Sequence, residues 1–427
     1  MTIPNIGFNI RTQVGVGAAF KLFNALALFF IVRLALDLVG SEVYGTWVTI
    51  LSTITWFSFI ETGITSGIRN QVTNLSEENK HHVASSLIGA GMSLELLLYS
   101  SLSAFALIAL LVIPSTRLNQ AHISEALVFA AIIFLSYVIS MVNCVALARH
   151  KAQWPVIATF TQNLFTIAGL LLIQSLHQDS LFALGLVFSC SSLCGILLTH
   201  ILLYSGQFKS LSPKFPNWDI TLLHPFKERI TRFGITQLFV LVIFASDHLI
   251  IVTFQNASEV TNYSIAFRYF NALNVVFNLI LIPFWSAFTS ADQASDAAWI
   301  KRAIRLLLML FGALSILGIL MLSLSDLAYK VWLGTEVSIR FWLSAIMMIS
   351  VFLTMWNNLF IYYLSGTGDI RLYSNLVIVS GALNIPISIW LVHVFGSTGV
   401  IAATCFALLP QAILLPVKTF RKLFPKR

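Results

Sequence analysis

The feature that most constrains this chain is its unbroken apolar runs. Two of them, Val14 to Leu36 and Val43 to Ile60, flank a short polar hinge at Asp37–Glu42. At 1.5 Å rise per residue, about 20 helical residues cover the roughly 30 Å of hydrocarbon in a bilayer. Backbone in that layer must satisfy its own hydrogen bonds, which leaves helices or closed barrels. Barrel strands alternate apolar and polar over about 10 residues, whereas these runs are continuous and longer. The expected class is therefore an all-α polytopic membrane protein. Runs of this kind are expected over 14–38, 43–66, 88–113, 124–148, 152–176, 180–205, 233–255, 260–286, 303–324, 341–364, 372–395 and 399–417, about 12 transmembrane helices.

Composition agrees. Hydrophobic residues make up 58% of the 427 and charged residues 10%, and the mean hydropathy is +0.87, which excludes a water-soluble domain of this length. The net charge of +8 would suggest nucleic acid in a soluble protein, but most of the 25 Lys and Arg fall in loops on one side. They include Arg69, Lys80, Arg149, Lys151, the Lys209–Arg232 loop, Lys301, Arg302, Arg371 and the tail from Lys418, while Arg117 and Lys330 lie opposite. By the positive-inside rule both termini are expected in the cytoplasm. The first run is too long for a leader core and lacks a small-residue cleavage site, so it is expected to remain as a helix. The four cysteines sit in apolar runs without metal-ligand spacing and read as small packing residues.

The basic loop 207–232, with Pro213, Pro216 and Pro225, is expected to link an N-terminal six-helix bundle (1–206) to a C-terminal one (233–417), followed by a basic tail (418–427). Ser41-Glu42-Val43 in the first hinge recurs as Ser258-Glu259-Val260 in the hinge after the seventh run. An even number of crossings separates the copies, so the halves would be parallel repeats about an axis along the membrane normal.

Charges at membrane depth are the candidate functional residues, because each costs about 3 kcal/mol or more at the bilayer centre. In a tight hairpin, residues equidistant from the turn lie level. That places Lys21 beside Glu61, and Asp247 beside Arg268. Two readings follow: structural ion pairs that orient helices, or a cavity in which bases attract an anionic substrate and acids carry the coupling ion. Lys21, Arg268 and Arg33 suit phosphate oxygens; Asp247, Glu61, Glu95 and His248 suit ion coupling. Arg33 and Asp37, four apart, also fit a local pair, and His248 also fits a packed, hydrogen-bonded role. Thr46, Thr49 and Thr53 share one helix face, explained equally by interhelix contact or a polar lumen. Trp154, Trp285 and Trp356 read first as interfacial anchors. Five prolines within runs are candidate kinks. No Gly-rich phosphate loop with its Lys is present, so ATP is not the expected energy source, and the short outer loops disfavour a membrane enzyme such as a polymerase.

Gly40-Ser-Glu42-Val-Tyr44-Gly45-Thr-Trp47, then Phe59-Ile-Glu61-Thr-Gly63-Ile64 and Arg69-Asn70, resembles the opening of the bacterial polysaccharide biosynthesis proteins, the O-antigen repeat-unit flippases. These belong with multidrug extruders and lipid II flippases in the multidrug/oligosaccharidyl-lipid/polysaccharide exporter superfamily. Here Glu61-Thr62-Gly63 replaces the family's usual Asp-Leu-Gly and keeps the acid and the glycine. The resemblance implies two six-helix bundles forming a V around a central cationic cavity in the bacterial inner membrane. It implies transfer of an undecaprenyl-diphosphate-linked oligosaccharide from the cytoplasmic to the periplasmic leaflet by alternating access, driven by a proton or sodium gradient and needing no cofactor. The implied partners are membrane lipids, a polysaccharide polymerase and a chain-length regulator, and not nucleic acid. The rival within the superfamily is a multidrug cation antiporter, which would favour cavity acids unmatched by bases.

Overall fold

The computed structural model describes residues 6–77, 80–112, 120–149, 151, 153–206, 208–334, 338–369 and 371–423. Among them the ordered elements are helices: α1 (Ile6–Thr55), α2 (Ser58–Glu77), α3 (His81–Val112), α4 (Gln120–Ile139), α5 (Val142–Ala148), α6 (Gln153–Ser175) and α7 (Leu181–Ser205), then α8 (Lys227–Phe254), α9 (Ala257–Gln293), α10 (Ala297–Ser323), α11 (Ser325–Leu333), α12 (Phe341–Gly366), α13 (Arg371–Phe395) and α14 (Ser397–Leu423). Two short 3₁₀ turns interrupt the segment between α7 and α8.

Eleven helical stretches among the described residues are long and apolar enough to cross a membrane. The first runs from Ala19 to Arg69, about 75 Å at helical rise, more than twice the hydrocarbon thickness. It is broken at Gly40, where φ 74° and ψ 174° lie outside the helical region. It therefore supplies the two crossings expected over 14–38 and 43–66. Large apolar side chains point outward in number: Phe105, Ile316, Val331 and Trp342 are each at least 70% exposed. That surface would be intolerable in water and is what a lipid-facing one requires. The chain is a multi-pass membrane protein. Cys144 is buried as expected, but Cys190 and Cys194 are exposed, on the outer face of α7.

The chain forms two compact units. The first holds the residues up to Gly40 together with Ile54–Leu238; the second holds Ser41–Thr53 and Phe239–Arg427. Two features depart from the expected plan. The segment after α7 is not a bare linker, because it is packed within the first unit against α3. Lys214 N donates to Ser85 O (3.2 Å), Asn217 N to Ser93 Oγ (2.9 Å) and Asn217 Nδ2 to Ser86 O (2.9 Å). A Cβ on Gly89 would stand 2.1 Å from the Lys214 carbonyl oxygen, so only glycine permits this approach.

The second departure is that Ser41–Thr53 packs in the second unit. There the two copies of the repeated hinge meet each other. Ser41 and Ser258, 217 positions apart, bring their hydroxyls to 3.5 Å, and Thr261 Oγ1 donates to Ser41 O (2.5 Å). Gly45 makes the contact possible, since a Cβ there would lie 1.8 Å from Ala257 O. The acid of the second copy, Glu259, accepts from Ser397 Oγ (2.7 Å) and pairs with Arg340 (3.4 Å), tying the N-terminal ends of α9, α12 and α14 together.

Candidate functional site

The candidate site in the second unit is built around Asp247 on α8. Its carboxylate is 1% exposed and accepts from Tyr263 on α9 and from Thr404 Oγ1 on α14 (3.2 and 3.5 Å). A ring of neutral oxygens surrounds it. Asn384 on α13 donates to Thr404 Oγ1 (3.4 Å) and receives the Ser246 hydroxyl (3.4 Å). Ser388, one turn beyond Asn384, is fully buried and its hydroxyl has no partner. Among the described residues no base pairs with the carboxylate. A buried carboxylate whose partners among the described residues are hydroxyls lacks the countercharge that burial demands.

Arg268 is not that countercharge. Among the described residues no ion pair joins it to Asp247 or to any other acid. The expected depth match fails for a local reason. Asn256 caps α9, its side chain accepting from Glu259 N (2.9 Å), which centres the turn on residues 255–256. Folding the hairpin there brings Asp247 level with Tyr263 and His248 level with Ser264, both pairs in hydrogen-bond contact. Arg268 then lies about one helical turn, roughly 6 Å, further along the axis. It is half-buried on α9 and has no hydrogen-bonding partner among the described side chains. Lys21, also half-buried, likewise forms no pair with Glu61.

His248 is a hydrogen-bonded histidine. Its Nδ1 meets Ser52 Oγ (2.9 Å) and its Nε2 meets Ser264 Oγ (3.1 Å), so it bridges the end of α1 to α9. Its edge rests against Tyr263, ring centres 5.5 Å apart, which puts it beside the phenol that holds Asp247. Arg33 and Asp37 form the local pair (3.7 Å), half-exposed. The threonine stripe is turned inward on its own helix: Thr46, Thr49 and Thr53 donate to carbonyls four residues back. Trp356 donates to Ala412 O (2.9 Å) and packs between Phe311 and Phe360, a helix anchor inside the second unit rather than at an interface.

The first unit has its own acids. Glu61 on α2 accepts from Thr65 (3.2 Å) and Thr62 (3.3 Å). Glu95 on α3 is 0% exposed, and neither of its carboxylate oxygens has a hydrogen-bond partner. The two lie close enough to repel as like charges, with Tyr99 and Tyr137 beside them. This proximity of Glu61 to Glu95 was not readable from the sequence. Nor were Thr404, which reaches Asp247 from 157 positions along the chain, and Asn384, which donates to Thr404 and accepts from Ser246. Tyr263 was readable in principle, through Asn256 as the cap that sets the register.

No family model and no curated protein matches this sequence. Solved structures match it over nearly the whole chain. A multidrug resistance MATE family transporter of the MOP superfamily, in an inward-facing conformation, aligns with TM-score 0.74 at 12% identity, covering 96% of this chain and 98% of that one. The lipid II flippase MurJ, in an inward closed conformation, aligns with TM-score 0.69 at 15% identity, covering 95% and 89%. A Vibrio cholerae MATE transporter aligns with TM-score 0.61 at 13% identity, covering 97% of each chain. At such identities the likeness is one of fold. The fold these structures share with the chain is all-α and polytopic.

Proposed function

We propose that this chain is an ion-coupled flippase of the bacterial inner membrane, both termini cytoplasmic, that moves an undecaprenyl-diphosphate-linked oligosaccharide from the cytoplasmic to the periplasmic leaflet. The observation that carries the reading is the separation of charges. Among the described residues, Lys21 and Arg268 are half-buried on apolar helices with no acid paired to them, while Asp247 and Glu95 are buried and Glu61 half-buried with no base paired to them. Unneutralised bases are available to the oxygens of a diphosphate. Unneutralised acids are available to a coupling proton or sodium ion, with the Tyr263 and Thr404 hydroxyls supplying further oxygens at Asp247 and Asn384 holding Thr404. The likeness of fold to the lipid II flippase MurJ supports a lipid-linked substrate. A polymerase and a chain-length regulator would then be its partners in the pathway.

A second reading has its own observation. Glu61 and Glu95 lie near one another and among the described residues no base pairs with either, the pattern expected of a multidrug cation antiporter, and MATE transporters share the fold. Deleting the gene in its host decides between them. The flippase reading expects loss of surface polysaccharide, with undecaprenyl-linked single repeat units trapped on the cytoplasmic side and rescued by a plasmid copy. Normal polymer with heightened sensitivity to cationic drugs would establish the antiporter.

A further inference from the structure

The second unit contains a cavity of about 150 Å³ that none of the charged residues above touches. It lies between α8, α12, α13 and α14, near the middle of α8 and α14. Its polar lining is Thr354, Asn357, Asn358, Tyr373 and Gln411, and Val240, Ile243, Phe244 and Leu408 supply much of the apolar wall. No acid or base lines it.

Two of the lining amides are left incomplete. Asn357 is 2% exposed and spends its Nδ2 on Leu408 O (3.3 Å), leaving Oδ1 without a partner. Gln411 is 3% exposed, and its Nε2 has no partner. Buried polar atoms are almost always satisfied, so an acceptor and a donor both orphaned on one cavity wall call for an occupant that both donates and accepts. Asn358 is held in place for such a role, its Nδ2 directed to Asn274 Oδ1 (3.3 Å), which also receives Asn278 Nδ2 (2.7 Å). The amide ladder is therefore preorganised rather than free to turn away.

We propose that this cavity binds one neutral pyranose ring of the transported oligosaccharide, which rests on the flippase reading above. A sugar hydroxyl donates and accepts at once, matching Asn357 Oδ1 and Gln411 Nε2, while the C–H faces of the ring match the apolar wall. A cavity of about 150 Å³ accepts a six-membered ring. The absence of any charge on the wall turns away both a diphosphate and an organic cation, whose desolvation nothing here would repay. Charge recognition and sugar recognition are thus assigned to different places in the chain.

The test uses the purified full-length protein and calorimetric titration with methyl β-glucopyranoside and methyl N-acetyl-β-glucosaminide, with cyclohexanol as an apolar control of similar ring size. Gln411→Met keeps roughly the volume and replaces the carboxamide, the orphaned donor with it, by a thioether, so the fold should survive; Asn357→Leu is the second variant. Saturable sugar binding to the natural protein, weakened at least tenfold by Gln411→Met with thermal unfolding unchanged, is the expected result. Cyclohexanol binding as tightly as the sugars, no sugar binding at all, or equal sugar binding by the Gln411→Met protein would overturn the site and leave ordered water as its occupant. A second arm reconstitutes the protein with polyprenyl diphosphates bearing zero, one or several sugars. If sugars bind in this cavity yet no lipid-linked sugar is moved, the flippase reading fails and the site stands. If lipid-linked sugars move equally well in both variants, the site fails and the flippase reading stands.

Discussion

Asp247 was legible as an acid in hydrocarbon and illegible as a centre. A charged residue in an apolar run announces itself by its cost, but the sequence around it says nothing about which distant hydroxyls will converge on it. The structure makes the difference testable. Because Asp247 and Arg268 do not touch, replacing each with Ala should give effects on unfolding free energy that add in the double variant, within about 0.5 kcal/mol. A salvaged double variant, with stability restored toward that of the natural protein, would mean that the two are paired. Tyr263→Phe and Thr404→Val each remove one donor to the carboxylate, and each should cost about 1–3 kcal/mol of unfolding free energy, because the acceptor stays buried. Asp247→Asn should leave the protein folded and abolish gradient-driven transport, measured as ion-dependent uptake in proteoliposomes. Retained coupling in Asp247→Asn would move the ion site to Glu61 and Glu95.

At the level of helices, most of the architecture follows from the length of the apolar runs and from one glycine. Gly40, with its positive φ, breaks a helix of 50 residues where the polar hinge predicted a turn. The finer register was missed because the turn between α8 and α9 was centred on the middle of its polar residues rather than on Asn256, the residue able to cap α9. An error of about two positions was enough to exchange Tyr263 for Arg268. The segment after α7 was missed differently: Pro213, Pro216 and Pro225 announce a break in helix, but prolines cannot say what the broken chain lies against. Here it lies on α3, across Gly89. Replacing Gly89 with Leu should expel the segment, since even one methyl carbon there would overlap the Lys214 carbonyl. Limited trypsin digestion should then cut between Lys209 and Lys227 several-fold faster than in the natural protein, with the cleavage sites read by mass spectrometry. An unchanged cutting rate would mean that these contacts do not hold the segment.

For the whole chain, the repeat of Ser41-Glu42-Val43 at Ser258 pointed to two halves in sequence, yet the compact units do not simply follow the halves. Ser41–Thr53 belongs to the first half by sequence and to the second unit by packing, because Gly45 admits the backbone of Ala257 and Ser52 reaches His248. Such an exchange is invisible to any reading that assigns each stretch to its neighbours along the chain. It has a consequence for how the protein can be divided. A fragment comprising 239–427 lacks Ser41–Thr53 and leaves Ala257, Ser258, Thr261 and His248 without the surface they pack on. A fragment comprising 1–238 carries that surface with nothing to cover it. Expressed alone, the 239–427 fragment should be extracted in low yield and unfold at lower temperature than the intact protein. Expressed with the 1–238 fragment, it should recover and the two should purify together through a tag on either one. Gly45→Val in the 1–238 fragment should abolish that recovery, because the added side chain occupies the position of the Ala257 carbonyl. If the 239–427 fragment is as stable alone as with its complement, Ser41–Thr53 is a passenger and the second unit is complete without it.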